Sequence, residues 1–230
     1  FFDGAQSLEA TWEAGEVDAG SLLATFGLSP IRSQVFESEF IDEVYWRFYV
    51  RLAEDFVGQA DKLSRATIFA DSNWAQAMIG HIWTAGESML LLDPASGISG
   101  DNQLVTTKWN DFDNLDWLGV QRGSRSLDPG VWHCIEVHIR LNSSGSSNGV
   151  FEYWLDGELE ASITDLNWIG DWRDYGLNMI MFSNYWNDGS PKAQSRNLDS
   201  ILISRNRINC RGEQVQVPKP PSPLMVEPVN

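Results

Sequence analysis

Residues 44–52, VYWRFYVRL, alternate strictly between two kinds of side chain. Successive side chains of a β-strand point to opposite faces, so such alternation separates the two sets. The apolar set is Val44, Trp46, Phe48, Val50 and Leu52, and the other set is Tyr45, Arg47, Tyr49 and Arg51. The segment therefore predicts a strand that packs one face on a core and presents a ladder of tyrosines and arginines on the other.

Other segments carry similar strand patterns, at 73–83, 88–93, 131–141, 150–163, 177–186 and 198–205. The dipeptide Asp156-Gly157 is typical of a tight hairpin turn. Turns rich in Gly, Ser and Asn separate the apolar runs, and only residues 7–13 and 59–64 suggest short helices. Many strands without alternating helices predict an all-β antiparallel sandwich of the jelly-roll type.

The composition limits the choice of partner. The chain has 230 residues, a formal net charge of −16 and a pI of about 4.4, which argues against nucleic acid, since phosphate binding needs a basic surface. An anionic ligand would need a local cluster of positive charge, which the Tyr/Arg ladder could supply. Eleven tryptophans suit stacking on sugar rings as well as a core. The sequence has no run of 18 apolar residues, so we expect no transmembrane helix and no membrane partner.

Two features concern organisation and location. Cys134 and Cys210 lack metal-ligand spacing and form either one disulfide or two buried thiols. The disulfide, and a start at FFDGAQ that is typical of a processed chain, favour a secreted, extracellular or periplasmic protein. The composition becomes proline-rich near residue 212. We therefore predict one domain over residues 1–211 and a tail or linker over residues 212–230, which could join a neighbouring module.

Several stretches together resemble a known family: YWRFYVRLAEDF, DKLSRATIF, VWHCIEVHIRLN, GVFEYWLDGELEA and RNLDSILIS. They are similar to concanavalin A-like, laminin-G-like jelly rolls, and more narrowly to the glucuronan and alginate lyases of that fold. The resemblance implies two curved sheets with a concave groove for a polysaccharide. It also implies β-elimination, in which one group neutralises a uronate carboxylate, a His, Tyr or Lys removes the C5 proton, and a Tyr protonates the leaving oxygen.

Four residues are candidates for that chemistry. His81 is the candidate base and Tyr185 the candidate proton donor, while Arg47 and Asn184 would neutralise the carboxylate. The structural alternative for His81 is a histidine with satisfied hydrogen bonds in the framework. His138 shares a face with Glu136 and Arg140 and is the weaker candidate, and His133 has the parity of core residues.

Eight further residues are candidates for substrate binding: Tyr45, Tyr49, Arg51, Lys62, Gln76, Trp83, Trp186 and Arg196. Lys62 lies in the Lys-Leu pair that resembles the catalytic lysine of similar alginate lyases. Gln76 and His81 have opposite parity, so they share a face only if a bulge near Gly80 intervenes. Alternatively, the ladder is a solvated outer face, and Trp186 plugs one end of the sandwich.

Residues 109–119, WNDFDNLDWLG, concentrate oxygen-bearing side chains that could bind calcium. Their spacing is not that of an EF-hand, and turns capped by Asn and Asp side chains are the favoured interpretation, so no cofactor is predicted. No pair of carboxylates has the E-x-D-x-x-E pattern of glycoside hydrolases, which disfavours hydrolysis. Three hypotheses remain: a lyase acting on an acidic polysaccharide, a carbohydrate-binding or adhesion module, and a sandwich without a ligand.

Overall fold

The structure, a computed structural model, describes residues 6–33, 35–58 and 61–210. The predicted tail, residues 212–230, and the predicted domain boundary at residue 211 lie outside these ranges. The described residues form thirteen strands: β1 Leu8–Trp12, β2 Asp18–Thr25, β3 Glu43–Leu52, β4 Asp61–Phe69, β5 Gln76–Ala85, β6 Met89–Ser96, β7 Asp116–Trp117, β8 Gln121–Ser126, β9 Trp132–Arg140, β10 Gly149–Leu155, β11 Glu158–Leu166, β12 Met179–Trp186 and β13 Gln194–Ser204. A single turn of 3₁₀-helix spans Phe112–Asn114.

The strands form two antiparallel sheets. The six-stranded sheet has the order β1-β13-β3-β9-β10-β11, and the seven-stranded sheet has the order β2-β12-β4-β5-β6-β7, with β8 also paired to β6. The predicted all-β jelly-roll sandwich is confirmed. The two short helices are not found: β1 occupies most of residues 7–13, and β4 begins at Asp61, because tertiary pairing overrides the weak local helical preference there. Residues 59 and 60 are outside the described ranges.

The core lies between the sheets. Phe48 of β3 meets Phe182 of β12 edge to face, with ring centroids 5.2 Å apart. Such aromatic pairs and the aliphatic residues around them supply the main driving force for packing the two sheets together. The sheets come close together at Gly80 of β5, where a Cβ atom would lie 2.3 Å from Cδ1 of Ile139. A larger residue at position 80 would therefore require the Ile139 side chain to move.

The predicted hairpin joins β10 and β11. Asp156 and Gly157 both have positive φ, 54° and 90°, and Leu155 pairs directly with Glu158. Positive φ at both central residues is the geometry that an Asp-Gly pair adopts at low cost. Asp156 also accepts hydrogen bonds from the amide of Cys134 at 2.8 Å, so the turn is tied to β9.

One disulfide links Cys134 of β9 to Cys210, with Cα atoms 5.9 Å apart, which confirms the pairing predicted as one of two alternatives. It fastens the segment after β13 to the outer face of the six-stranded sheet. In the same segment, the amides of Ile208 and Asn209 donate to the Glu136 carboxylate at 2.5 and 3.1 Å. A disulfide fits an oxidising environment. No helix in the described part of the chain is long and apolar enough to cross a membrane.

We expect Cys210→Ser to lower the free energy of unfolding by about 2–4 kcal/mol, because the bond closes a long loop in the unfolded chain. Denaturant titration of the oxidised protein measures this. Cys134→Ser and the double variant should each cost about as much as Cys210→Ser, since all three remove the same bond. A double variant that loses about twice as much as either single variant would contradict this explanation.

Candidate functional site

The outer face of the seven-stranded sheet, turned away from the core, carries rows of chemically distinctive side chains. In antiparallel sheets, directly opposed residues share a face and lie about 4.5–5.5 Å apart at Cβ. One row runs Tyr185, Lys62, Trp83 across β12, β4 and β5. The next row runs Met181, Arg65, His81, Asp93 from β12 to β6. We call the surface formed by these two rows the groove.

Two β-bulges decide which residues reach the groove. On β4, Lys62 pairs with Trp83 but Ser64 pairs with Ile82, so Leu63 is an extra residue. This bulge brings Lys62 and Arg65 to the same face although their parity differs. On β5, Phe69 pairs with Gln76 and Ile68 with Met78, so Ala77 is extra. The second bulge unites Gln76 and His81 on the groove side, and it lies at Ala77 rather than near Gly80.

A cavity of about 210 Å³ opens on the groove, lined by Lys62, His81, Trp83, Asp93, Phe112, Trp117 and Asn187. Tyr185 borders it, because Lys62 Nζ lies 4.7 Å from the Tyr185 ring centroid and 5.9 Å from that of Phe112. His81, Lys62, Trp83 and Tyr185 are thus brought together as the sequence predicted for one site. The functional roles assigned to them stay predictions.

Burial shifts the pKa values of the titratable side chains in the groove. Burial, followed by the charge of Arg65, lowers the pKa of Lys62 to about 8. Burial, with the charges of Arg65 and Lys62, lowers the pKa of His81 well below its usual value, so the imidazole is neutral at neutral pH. The Nε2 atom of His81 has no hydrogen-bond partner among the described residues. Burial also raises the pKa of Asp93 to about 6.

Arg65 lies beneath the cavity rather than in it. Its guanidinium carbon is 3.8 Å from the ring centroid of Trp109, and Nη1 donates to Asn110 Oδ1 at 2.8 Å. Burial lowers the pKa of Arg65 to about 9. The guanidinium thus supplies positive charge from below and holds the loop that follows Trp109 against the sheet.

Gln76 supports the same loop. Its Nε2 donates to Thr67 Oγ1 at 3.1 Å, and its Oε1 accepts from the Asn110 amide at 2.8 Å. Gln76 is fully buried, so its position on the groove side serves the framework and not direct contact with a ligand.

The acidic loop after Trp109 is organised by its own side chains. The Asp111 carboxylate accepts from the Thr107 amide at 2.8 Å and from Asn114 Nδ2 at 3.0 Å, as expected of turns capped by Asx side chains. Within residues 6–33, 35–58 and 61–210, no group of three or more His, Cys, Asp or Glu side chains could hold a metal ion. That the protein needs no calcium or other cofactor stays a prediction.

The Tyr/Arg ladder does not contribute to the groove, which corrects the prediction for Arg47, Tyr45, Tyr49 and Arg51. Strand β3 belongs to the six-stranded sheet, and its polar face is the outer face of that sheet. Arg47 is buried there and donates to the carbonyls of Ser200 and Asn209, at 3.2 and 3.3 Å. The reason for the error is that alternation fixes the face of a residue within its strand, not the sheet that the strand joins.

The remaining ladder residues are also bound within the framework. Arg51 Nε donates to the Gly130 carbonyl at 2.8 Å, and the Tyr45 ring stacks on His138 at 4.1 Å. His138 in turn contacts Glu43 and Glu152, at 2.8 and 3.0 Å. The ladder therefore holds the outer face of the six-stranded sheet together, close to the alternative considered from the sequence.

Asn184, Trp186 and Arg196 are likewise buried away from the cavity. Arg196 Nη1 pairs with Asp61 Oδ2 at 2.8 Å, and its Nε donates to Asn184 Oδ1 at 3.0 Å. Trp186 packs on Trp12 with ring centroids 6.2 Å apart, so it plugs the interior as the structural alternative stated. Asn184 as a carboxylate neutraliser, and Trp186 and Arg196 as substrate contacts, are corrected for this reason.

The sequence did not single out Asp93, Phe112, Trp117 and Asn187, which line the cavity. Asp93 ends the apolar run of β6, and a carboxylate following four apolar residues is a signal that could have been used. Trp117 is nearly half exposed at the sheet edge, and it forms an exposed aromatic pair with Phe112, with ring centroids 6.1 Å apart. Phe112 begins the 3₁₀ turn and Asn187 lies in a loop, and the sequence indicates no orientation for either.

Comparison with known proteins gives a consistent fold. No family model matches the sequence, and no curated protein sequence matches it. Among solved structures, endo-β-1,4-glucuronan lyase from the fungus Trichoderma reesei aligns with a TM-score of 0.62 and 16% identity over 89% of this chain and 83% of that one. An alginate lyase from Chlorella virus aligns with a TM-score of 0.62 and 13% identity over 90% and 87%.

A third match is the marine alginate lyase from Aplysia kurodai, with a TM-score of 0.61 and 13% identity over 87% of this chain and 83% of that one. The structural alignments demonstrate a shared fold, and at sequence identities this low they do not show the activity. The chain thus resembles these polysaccharide lyases across most of its length and has their β-sandwich fold.

Proposed function

We propose that this protein is a lyase that cleaves an acidic, uronate-containing polysaccharide by β-elimination in the groove of the seven-stranded sheet. The observation that carries the proposal is the placement of Lys62, His81 and Tyr185 around one cavity. These are the residue types that the reaction needs, and they are adjacent on neighbouring strands. The likeness to glucuronan and alginate lyases supports the same reaction class by analogy of fold only.

The proposed roles follow from the chemistry. The C5 proton of a uronate is weakly acidic until the carboxylate charge is masked, so hydrogen-bond donors must meet the carboxylate. We assign that role to Asn187 and to His81, for which the sequence had suggested the role of base, and we move the role of base to Lys62. Lys62, with its pKa lowered to about 8, would remove the C5 proton as the free amine. As the C4–C5 double bond forms and the C4–O bond breaks, the Tyr185 hydroxyl would give its proton to the leaving oxygen.

The charge distribution supports an anionic substrate at this place. The chain as a whole carries −16, which repels a polyanion. Lys62 and Arg65 place two cationic side chains on neighbouring positions of one sheet face, and a local positive field can overcome the average one at short range. The exposed rings beside them, above all Trp117, suit contact with sugar faces.

The disulfide bears on where the protein is located. The Cys134–Cys210 bond fits the oxidising conditions outside the cytoplasm, and we propose that the protein is secreted to meet its polysaccharide. A neighbouring module joined through residues 212–230 stays a prediction.

A carbohydrate-binding module without catalysis is the second candidate. It is favoured by the three aromatic rings at the cavity, Trp83, Phe112 and Trp117, which would suffice for binding. The two candidates differ in whether the Lys62 amine and the Tyr185 hydroxyl act on a bound sugar or only lie beside it.

The test is product formation on defined uronate polymers: glucuronan, alginate, pectate and heparin-like chains. A lyase produces an unsaturated uronate, which is followed by its ultraviolet absorbance and verified by mass spectrometry. The signal should disappear in Tyr185→Phe and His81→Ala while calorimetry still detects binding. No product on any polymer, with calorimetric binding retained by the wild-type protein, would transfer the conclusion to the binding module.

A further inference from the structure

Across the strands, one side of the groove carries cationic side chains and the other side carries a carboxylate. Lys62 and Arg65 lie on β4, and Asp93 lies on β6, with His81 of β5 between them. Neighbouring strands are about 4.8 Å apart, so the cationic and the acidic positions are separated by about 10 Å. This distance is of the order of a disaccharide, so two successive sugars of one chain would meet opposite charges.

Asp93 has no cationic partner in the part of the chain that the structure describes. Within the described ranges its carboxylate forms no salt bridge, and the only group that offsets the effect of its burial is the neighbouring Trp83. Asp93 is 7% exposed, and it lines the groove cavity. A buried, unpaired carboxylate would repel a second carboxylate placed against it, whereas it accepts hydrogen bonds readily from hydroxyl groups.

The surroundings of Asp93 suit an uncharged sugar. A second cavity, of about 480 Å³, continues from the first and is lined by Trp83, Asp93, Trp117, Gly119 and Val120. Two indole rings and one hydrogen-bond acceptor around one cavity match a pyranose, whose faces are apolar and whose rim carries hydroxyl groups. No cationic side chain is among the residues that line this second cavity, and Arg122 of β8, opposite Leu91, is a cationic position near it in the sheet register.

We propose that the Trp83–Asp93–Trp117 end of the groove is a subsite for a non-acidic sugar, so that the preferred substrate alternates uronate with an uncharged residue. The inference rests on the proposed function for the identity of the uronate subsite at Lys62. It makes Asp93 a specificity-determining residue that selects against a polymer in which every residue carries a carboxylate.

The test compares two oligosaccharide probes of equal length: glucuronan, in which every sugar is glucuronate, and hyaluronan, in which glucuronate alternates with an uncharged N-acetylhexosamine. Calorimetry is done in the Tyr185→Phe background to prevent turnover, above the pH of about 6 at which Asp93 loses its proton. We expect the hyaluronan probe to bind more tightly. Asp93→Asn should shift the ratio of the two affinities toward glucuronan by about tenfold, because it removes the like-charge repulsion and replaces a charged hydrogen-bond acceptor with a weaker neutral one.

Asp116→Asn is the matched control. It removes one negative charge from β7, next to Trp117 but on the opposite side of the strand, where the residue is exposed. It should leave the ratio of the two affinities unchanged. If Asp93→Asn does not fold, Asp93→Ser removes the same charge with a smaller side chain and serves in its place.

The outcomes separate the two proposals. An affinity ratio that is the same in the Asp93→Asn variant and in the parent overturns the subsite, and so does an absence of binding to both probes. A ratio that shifts toward glucuronan, with no unsaturated product from any polymer in proteins that retain Tyr185, supports the subsite and refutes the lyase function instead.

Discussion

Lys62→Met is expected to lower kcat on the cleaved polysaccharide by about 10³-fold, because it removes the amine that takes the C5 proton. Lys62→Arg should be almost as inactive, although it preserves the positive charge, since a guanidinium does not give up its proton near neutral pH. Steady-state kinetics on the unsaturated product measure both. The exposed Lys108 offers the matched control, and Lys108→Met should retain wild-type kcat.

The pH dependence follows from the lowered pKa of Lys62. The amine is the active form, so kcat/KM of the wild-type protein should rise with pH and level off above about 8. A profile that is flat between neutral pH and that value, or Lys62→Arg with near wild-type kcat, would remove Lys62 from the role of base. Its positive charge would then be the only property that matters.

Lys62→Met should change stability in the opposite direction to activity. The pKa of Lys62 is lower in the folded chain, about 8, than its ordinary value of 10.5, so the unfolded chain binds this proton more tightly. The resulting cost is fully present below pH 8 and fades as the pH rises toward 10.5. Lys62→Met should therefore raise the free energy of unfolding by about 1 kcal/mol at neutral pH and by little at high pH.

The sandwich could be predicted from the sequence because its signals are local. The alternation in residues 44–52 became β3, and the apolar side of that strand, with Trp46 and Phe48, lies in the core. Asp156-Gly157 became the turn between β10 and β11 because few other dipeptides accept positive φ twice. Each of these features depends on residues within one strand or one turn.

The site could be predicted only in part because its geometry is not local. Which sheet receives β3 is decided by pairing with β9 and β13, far away in sequence, and this moved Arg47 from the groove to the opposite side of the molecule. Single-residue bulges at Leu63 and Ala77 reverse parity, and nothing in the sequence marks either one. His81 and Tyr185 were found because their chemistry is unusual in such strands, not because their position could be derived.

Arg196 illustrates how burial reverses an expectation based on charge. As a cation in a polar stretch it suggested a substrate contact, yet its side chain is fully buried and paired with the equally buried Asp61. It also donates from Nη2 to the Lys62 carbonyl at 2.6 Å. The pair thus lies directly beneath the start of β4 and fixes the main chain that carries the proposed base.

We expect Arg196→Met to lower the free energy of unfolding by about 3–5 kcal/mol, because it leaves the Asp61 carboxylate buried without its counter-charge. Asp61→Asn leaves the Arg196 guanidinium buried without its counter-charge, so it should lower the free energy of unfolding by an amount in the same range. The double variant has no buried charge left, so it should lose less than the sum of the two. Denaturant titrations of all three measure the coupling between the two side chains.

The exposed pair of Arg205 and Glu39 provides the control, since its N–O distance is also 2.8 Å while both side chains are about half exposed. Arg205→Met should cost less than about 1 kcal/mol, because solvent screens the charge that remains. If Arg196→Met lowered the free energy of unfolding no more than Arg205→Met does, the buried Asp61 charge would not be the main cause of the loss. The interior would then have to admit water or a proton to Asp61, and the main chain at Lys62 would lack the rigid support that the proposed chemistry needs.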